Sequence, residues 1–443
     1  MKIHFKSDTV YILGFFLLVI AAGTLLLSLP VSWAGSPEKP KLALIDSLFT
    51  ATSAVCVTGL ITVNTADYSR FGQTVILLLI QTGGLGIISF TSLFLLIPGR
   101  RLSFRRLRTI KSFSLNGVEH DPAKIVRDIV FFTLVIEILG ALALYSFFLK
   151  AGTARSAFSA LFHSISAFCN AGFSLFPESF EGFNSTFPVL IILSLLIITG
   201  GIGFIVLQDL SRRIRGRKKR LSYHTKLVLF ITAILIVSGA GAFWFLEGNN
   251  TFQGMSPVNR AVNALFQSVT PRTAGFNAVV QSRLTQPSKY LTMLLMFIGG
   301  APGSIAGGIK VSSAYVVLLF MLKSANEQGE INAFSRRISP ATVNSAVSYF
   351  FKALFLLLLA VGLLSLFESP RGAELDEIVF EAVSAFGTVG LSLGITSNLS
   401  IPGKLTIIAT MFTGRIGLIA FLCLGGSKSK GRFVYPEADI LIG

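Results

Sequence analysis

Four short strings hold the residues of this chain that could do chemistry: Val57, Thr58 and Gly59; Asn170, Ala171 and Gly172; Thr273, Ala274 and Gly275; Thr388, Val389 and Gly390. None contains an acid–base pair or a nucleophile beside a base. Each ends in glycine, which adopts positive φ at no steric cost, so successive backbone carbonyls can be turned towards one axis. Carbonyls arranged in a ring replace the water shell of a cation without any fixed negative charge. The four glycines recur at intervals of roughly 110 residues, the signature of one unit used four times. A single such string is an ordinary tight turn. Two further landmarks accompany all four. Phe49, Phe162 and Phe380 lie ten residues before their glycines, and Phe266 lies nine before. A hydroxyl residue, Ser53, Ser166, Thr270 or Ser384, stands between phenylalanine and glycine.

Elements that could position such loops follow from composition. The chain has 443 residues, 52% hydrophobic and 13% charged, with a mean hydropathy of +0.72. Soluble proteins carry about 25% charged residues, so the composition points to a bilayer. Eight apolar stretches are long enough to span it: Thr9–Pro30, Val75–Ile97, Asp128–Leu149, Pro188–Leu207, Thr225–Leu246, Tyr290–Leu322, Val343–Phe367 and Leu405–Leu424. The first is too long for a signal-peptide core and lacks a clean cleavage site, so it reads as a retained helix. Between paired spans lie half-length segments, Leu42–Ser53, Arg155–Ser166, Pro257–Thr270 and Glu374–Ser384, too short to cross. They read as re-entrant pore helices, each with its negative carbonyl end aimed at the bilayer centre.

The expected architecture is an all-α integral membrane protein. Four tandem units of span (M1), pore helix (P) and span (M2) surround one pore with pseudo-fourfold symmetry. The units are 1–98, 128–211, 224–323 and 343–426. Basic loops at 99–127 and 212–223, a loop at 324–342 and a tail at 427–443 join and end them. The net charge of +17 is concentrated in Arg100–Lys111, Arg212–Arg220, Lys323 with Arg336 and Arg337, and Lys428–Arg432. Acidic residues such as Glu178, Glu181, Glu247, Glu368 and Glu374 fall on the other side of the alternation. The positive-inside rule places both termini and all between-unit loops in the cytoplasm. The run RRIRGRKKR then reads as a stop-transfer loop near anionic headgroups rather than a nucleic-acid site.

The second spans also align, through QTGGLG at Gln81–Gly86, ITGGIG at Ile198–Gly203, FIGGAPG at Phe297–Gly303 and FTGRIG at Phe412–Gly417. Glycine pairs let helices approach closely. In the third unit the motif continues to Lys310, and five glycines and a proline preclude a regular helix there. The resulting loop, with Gly299, Gly300, Gly303, Ser304, Gly307, Gly308 and Lys310, is expected either to gate the pore or to act as a passive kink. In the fourth unit Arg415 replaces the glycine found at Gly84, Gly201 and Gly300. A cation at that depth must face a cavity or a partner. It could form an electrostatic barrier in the pore or be tied to carbonyl ends or to the gating loop. Glu137 and Lys352 are expected at helix contacts or snorkelling, and His163 as a local hydrogen-bond partner. Cys56, Cys169 and Cys423 lack metal-ligand spacing. There is no Walker loop, zinc spacing or carboxylate cluster, so an enzyme or a carrier of organic solutes is disfavoured.

The fourfold repeat, the filter glycines, the glycine-rich break and Arg415 together resemble the Trk/Ktr/HKT superfamily of potassium transporters over essentially the whole chain. The first unit begins almost immediately, and the tail reads FVYPEADILIG, both as in its KtrB-type subunits. The resemblance implies a potassium-translocating subunit in a bacterial cell membrane, a homodimer with one pore per protomer. It also implies a cytosolic ring of nucleotide-binding RCK subunits that acts on the gate. The chain has no dinucleotide fingerprint, so nucleotide control would come from that partner. Systems of this type are often stimulated by sodium, which no residue here encodes. Glycine at all four filter positions implies potassium selectivity, and a sodium-conducting or poorly selective pathway is the alternative.

Overall fold

In a computed structural model the described residues are 8–35, 41–96, 122–153, 155–216, 220–322, 331–333 and 336–416. The basic stretches Arg100–Lys111, Arg217–Lys219 and Lys428–Arg432, together with Lys323, Gly417, Cys423 and the FVYPEADILIG tail, lie outside them. Among these residues the order long helix, half-length helix, second helix occurs four times. The first set is α1 (Asp8–Ser28), α2 (Leu44–Cys56) and α3 (Arg70–Leu96). The second is α4 (Pro122–Lys150) and α5 (Ser156–Phe168), followed by α6 (Phe187–Gly201) and α7 (Phe204–Ile214). The third is α8 (Tyr223–Leu246) and α9 (Pro257–Val269), followed by α10 (Gln286–Phe297) and α11 (Val311–Leu322). The fourth is α12 (Pro340–Glu368), α13 (Leu375–Gly387) and α14 (Ile401–Ile416).

Local sequence explains several of these starts. Ser222, Ser256 and Ser339 each accept a hydrogen bond from the backbone N–H three residues on, and Pro257 and Pro340 open α9 and α12. Among the described residues, Val126–Lys150, Tyr223–Leu246 and Pro340–Arg371 are individually long and apolar enough to cross a membrane, and the α6–α7 pair would make a fourth. That pair departs from the continuous span expected over Pro188–Leu207. It bends by 102° between Gly201 and Phe204, with Gly203 at φ 88°. Its ITGGIG motif contains no proline, so it reads from sequence as a helix contact rather than a break. The span expected over Tyr290–Leu322 is interrupted as anticipated. A hairpin of β1 (Ile331–Ala333) against β2 (Arg336–Ile338), with Ile331 opposite Ile338, is a small exception to the all-α expectation.

The core lies behind the half-length helices. Phe49, Phe162, Phe266 and Phe380 are all fully buried, which gives the aligned phenylalanines a packing role. The long helices instead turn Leu17, Leu18, Phe245, Phe355 and Leu358 outward, a surface suited to lipid. The first glycine of each motif explains how second and half-length helices touch. A Cβ on Gly83, Gly200 or Gly414 would run into the carbonyl oxygen of Val55, Phe168 or Phe386. Each of those carbonyls belongs to the residue four before Gly59, Gly172 or Gly390. In the third unit Gly299 instead abuts the Gly307 carbonyl.

Two glutamates tie the ends of long helices to the starts of second helices. Glu247 accepts from the Thr285 N–H at 2.9 Å and its hydroxyl at 2.8 Å, at the foot of α10. Glu368 accepts from the Ser400 N–H at 3.0 Å, at the foot of α14. Burial would raise the Glu247 carboxyl, but hydrogen bonds from Ser288, Thr285 and Thr251 outweigh it and hold the group below its usual range.

Gly414→Ala should therefore lower stability by about 1–3 kcal/mol through overpacking. Gly362→Ala, where nothing lies within 4 Å, should not lower it; thermal unfolding in detergent compares the two. The depressed Glu247 carboxyl contributes stability that is fully present above its unfolded value of about 4.3. That contribution is lost as pH falls through the lower folded value. Glu247→Gln should flatten the acid limb of a pH–stability curve.

Candidate functional site

The four predicted strings lie at the C-terminal ends of α2, α5, α9 and α13, and their backbones share one conformation. The residue two before each glycine is left-handed: Val57 at φ 56°, Asn170 at 55°, Thr273 at 70° and Thr388 at 50°. The glycines follow with φ of 91°, 71°, 77° and 98°. A left-handed β-branched residue is a genuine outlier, and three of these four are β-branched. Such strain costs of order 1–3 kcal/mol per residue and persists only where the surroundings over-determine it. Sequence reasoning assigned positive φ to the glycines alone. The repeated position two residues earlier was visible, but its residue types, valine, asparagine and threonine, argue against such a conformation.

The hydroxyl residues supply part of that over-determination. Ser53 Oγ accepts from Gly59 N at 3.0 Å, and Ser384 Oγ accepts from Gly390 N at 3.1 Å. Ser166 Oγ donates to the Phe173 carbonyl at 2.8 Å, and Thr270 Oγ1 to that of Phe276 at 2.7 Å. All four thus hold their own loop, at the glycine that ends the string or at the residue after it.

The glycines also meet one another. A Cβ on Gly59 would strike the Ala171 carbonyl and Gly172. One on Gly172 would strike Ala274 and Gly275, one on Gly275 would strike Val389 and Gly390, and one on Gly390 would strike Thr58 and Gly59. The contacts run from first loop to second, third, fourth and back to first. Within this ring Asn170 and Thr273 are joined side chain to side chain at 3.3 Å. The hydroxyls of Thr58 and Thr388 are buried without a protein partner.

The glycine-rich segment lies directly against this ring. Its base is closed where Gly299 N donates to Ile309 O at 2.9 Å and Val311 N to Gly300 O at 3.0 Å. Gly307 has no room for a Cβ because the Thr388 side chain occupies that space, and Gly308, at φ 64°, approaches Gly387. Ser304 caps the turn, its hydroxyl donating to Ala301 O at 2.6 Å. Lys310 Nζ donates to Ala306 O within the loop. The loop also interlocks with the break in the second unit. Ala301 N donates to Gly201 O at 2.9 Å, and Phe204 N donates to Gly303 O at 3.2 Å.

Of the two expectations for Arg415, the geometry realises the tether. Its guanidinium donates to the Ile305 carbonyl at the tip of the loop and, at 2.6 Å, to the Gly83 carbonyl on α3. The side chain is only 6% exposed. Cys56 and Cys169 are buried free thiols beneath the ring. Cys169 donates to Gln81 Oε1 at 3.4 Å, and Gln81 Nε2 donates to Glu137 Oε2 at 3.1 Å. Glu137 is therefore at a helix contact as expected, whereas Lys352 is exposed. His163 bonds locally, as described below. Among the described residues no His, Cys, Asp and Glu group has the arrangement of a metal site.

Two ion pairs that sequence reasoning missed join successive units. Lys404 on α14 meets Asp46 on α2 at 2.7 Å, and Lys289 on α10 meets Asp376 on α13 at 3.4 Å. Between the first two units Arg70 instead stacks on Phe158, 4.3 Å from the ring centre. The side chains of the first pair are only 10% and 5% exposed. Removing one partner of a buried pair costs about 3–5 kcal/mol. Lys404→Met should lower the unfolding temperature more than the double variant Lys404→Met with Asp46→Leu, which leaves no buried charge unpaired.

The Cation transport protein (TrkH) family model matches residues 1–426. A potassium/sodium uptake protein, NtpJ, of Enterococcus hirae is 38% identical over 438 residues, covering 97% of this chain and 96% of its own. Ktr system potassium uptake protein B of Bacillus subtilis is 36% identical over 445 residues, covering 100% of this chain and 98% of its own. The crystal structure of the potassium transporter TrkH from Vibrio parahaemolyticus superposes with a TM-score of 0.75 at 20% identity, over 96% of this chain and 86% of that one. This family is one of transporters, not enzymes, and its model spans all four glycine-ended strings, the glycine-rich loop and Arg415. The chain belongs to the TrkH family of cation transport proteins.

Proposed function

We propose that the chain is the potassium-translocating subunit of a Ktr-type uptake system, with one pore on a pseudo-fourfold axis through the ring of filter glycines. The closed head-to-tail ring carries this reading: each filter glycine abuts the carbonyl that precedes the next filter glycine. Twelve residues, Val57 to Gly59, Asn170 to Gly172, Thr273 to Gly275 and Thr388 to Gly390, present the coordinating backbone. Carbonyls strip the ion of water and replace it, while the negative ends of α2, α5, α9 and α13 favour a cation without binding it irreversibly. The names of the relatives support potassium as the transported ion, and that of NtpJ adds sodium.

The loop between Gly299 and Lys310 is the gate in this reading. Its seat against Thr388 and the tie from Arg415 to Ile305 hold it across the path. Opening requires the loop to leave that seat, and glycine at 307 and 308 keeps the backbone cost of doing so low. Control comes from a cytosolic nucleotide-binding RCK ring, and a homodimer sits on that ring with both termini in the cytoplasm of a bacterial cell. Sodium acts as a stimulating ion. The Ktr-system names of relatives support a multi-subunit assembly.

Rubidium uptake into liposomes holding the purified chain, competed by potassium and by sodium, tests the proposal. Competition by potassium alone supports it, and equal competition by sodium favours an unselective pathway. Gly59→Ser places a Cβ against the Ala171 carbonyl at a φ that side chains rarely adopt. It should reduce potassium over sodium preference by about tenfold, a cost of ~1.4 kcal/mol. Arg415→Gln should raise basal flux by freeing Ile305, and unchanged flux would make the arginine a structural tie only.

A further inference from the structure

In each half-length helix the aligned phenylalanine is followed by a polar residue: Thr50, His163, Gln267 and Glu381. A hydroxyl, an imidazole, an amide and a carboxylate make no motif, and each is at most 1% exposed. They share a type of partner instead. Tyr68 Oη donates to Thr50 Oγ1 at 3.1 Å. Leu175 N donates to His163 Nε2 at 3.1 Å, with Ser174 Oγ at 3.0 Å. His163 Nδ1 lies 2.7 Å from the Ser159 carbonyl, which only accepts, so Nδ1 carries the proton. Gln267 and Gln281 exchange amide hydrogen bonds at 2.8 and 3.3 Å. Ser392 Oγ donates to Glu381 Oε2 at 2.7 Å, and Thr396 Oγ1 donates to Oε1. Apart from the Ser159 carbonyl, every partner lies on the segment that leaves that residue's own filter glycine.

A buried polar group must find some partner, so any one of these bonds alone is only a satisfied core residue. All four sit at the aligned position and reach the post-filter segment, which local satisfaction does not require. The second and fourth units go further. Their partner serines, Ser174 and Ser392, stand two residues beyond Gly172 and Gly390. Each also accepts a backbone N–H at 3.0 Å from the residue two further on, Phe176 or Gly394. In the first and third units the partners Tyr68 and Gln281 are nine and six residues beyond the glycine. The two short braces therefore alternate with two long ones around the ring.

We propose that Thr50, His163, Gln267 and Glu381 are positioning residues that clamp the outgoing end of each filter string. His163 with Ser174 and Glu381 with Ser392 are the pair that set discrimination between potassium and sodium. The inference rests on the potassium-pore reading. A carbonyl ring discriminates against the smaller ion only if it resists closing around it. The hydroxyls of Ser53, Ser166, Thr270 and Ser384 hold one side of that backbone, and these four residues hold the side beyond it.

The test uses the full chain in liposomes, with rubidium as tracer and sodium as competitor. Glu381→Gln keeps the side-chain volume, but its NH2 cannot accept from a hydroxyl. Ser392→Ala removes the other half of the brace from a partly exposed position. Each should strengthen sodium inhibition about five- to tenfold at near-normal unfolding temperature, and the double variant should add little to either. Glu368→Ala, which removes the acceptor of the Ser400 N–H and hydroxyl at the start of α14 without touching a filter segment, should lower stability and leave sodium inhibition unchanged. Wild-type sodium inhibition in folded Glu381→Gln and Ser392→Ala overturns the proposal, as does an equal shift in Glu368→Ala. Should Glu381→Gln not fold, Ser392→Ala and Ser174→Ala decide on the same criterion. A wild-type chain without potassium preference overturns the pore reading and this proposal with it, whereas preference kept in every variant overturns the braces alone.

Discussion

The structure depends on one constraint: backbone in the four glycine-ended strings is left outside helix and sheet in the interior of an apolar protein. A backbone polar group there must be bound by the protein, by water or by an ion. The chain meets this demand by pinning each string from its own half-length helix, through Ser53, Ser166, Thr270 and Ser384. Left-handed Val57, Thr273 and Thr388 show that the pinning overrides the preference of β-branched residues.

Close approach is the second consequence. Strings that meet in one ring need helices whose ends converge, and convergence leaves no space for side chains. Gly83, Gly200 and Gly414 therefore sit against the last turns of α2, α5 and α13, and Gly59, Gly172, Gly275 and Gly390 sit against one another. Small residues here serve contact rather than flexibility. The same logic places charge where units meet, since Lys404 with Asp46 and Lys289 with Asp376 join neighbouring units.

Where helices cannot continue beneath the ring, they break in pairs. The loop after α10 and the bend between α6 and α7 complete each other's backbone hydrogen bonds through Ala301 with Gly201 and Phe204 with Gly303. Arg415 supplies a third tie, to Ile305 and Gly83. The segment is thus held by single hydrogen bonds to α6, α7 and the Arg415 side chain of α14, so its position is set by other units of the chain rather than by its own helices.

The fourfold order of elements was legible in the sequence because it rests on periodic features: apolar length, a glycine at one interval, an aligned phenylalanine and hydroxyl. The break at Gly299–Lys310 was legible for the same reason, since glycine and proline density acts locally on the backbone. The bend at Gly203 was not, because ITGGIG has the letters of a helix contact and its break is completed by a loop roughly a hundred residues away. The tie of Arg415 to carbonyls was one of two alternatives open in the sequence, and only the structure chose it and supplied Ile305 and Gly83 as the partners. The αL position repeats in the sequence, but its residue types argue against that conformation, and His163 read only as a local hydrogen-bond donor. The inter-unit ion pairs and the bonds of Thr50, Gln267 and Glu381 carried no signal. Sequence determines which residues can adopt a conformation or carry a charge. Tertiary structure alone decides which groups distant in the chain are brought within hydrogen-bond reach, because at this depth the partner of each buried polar group is chosen by proximity rather than by residue type.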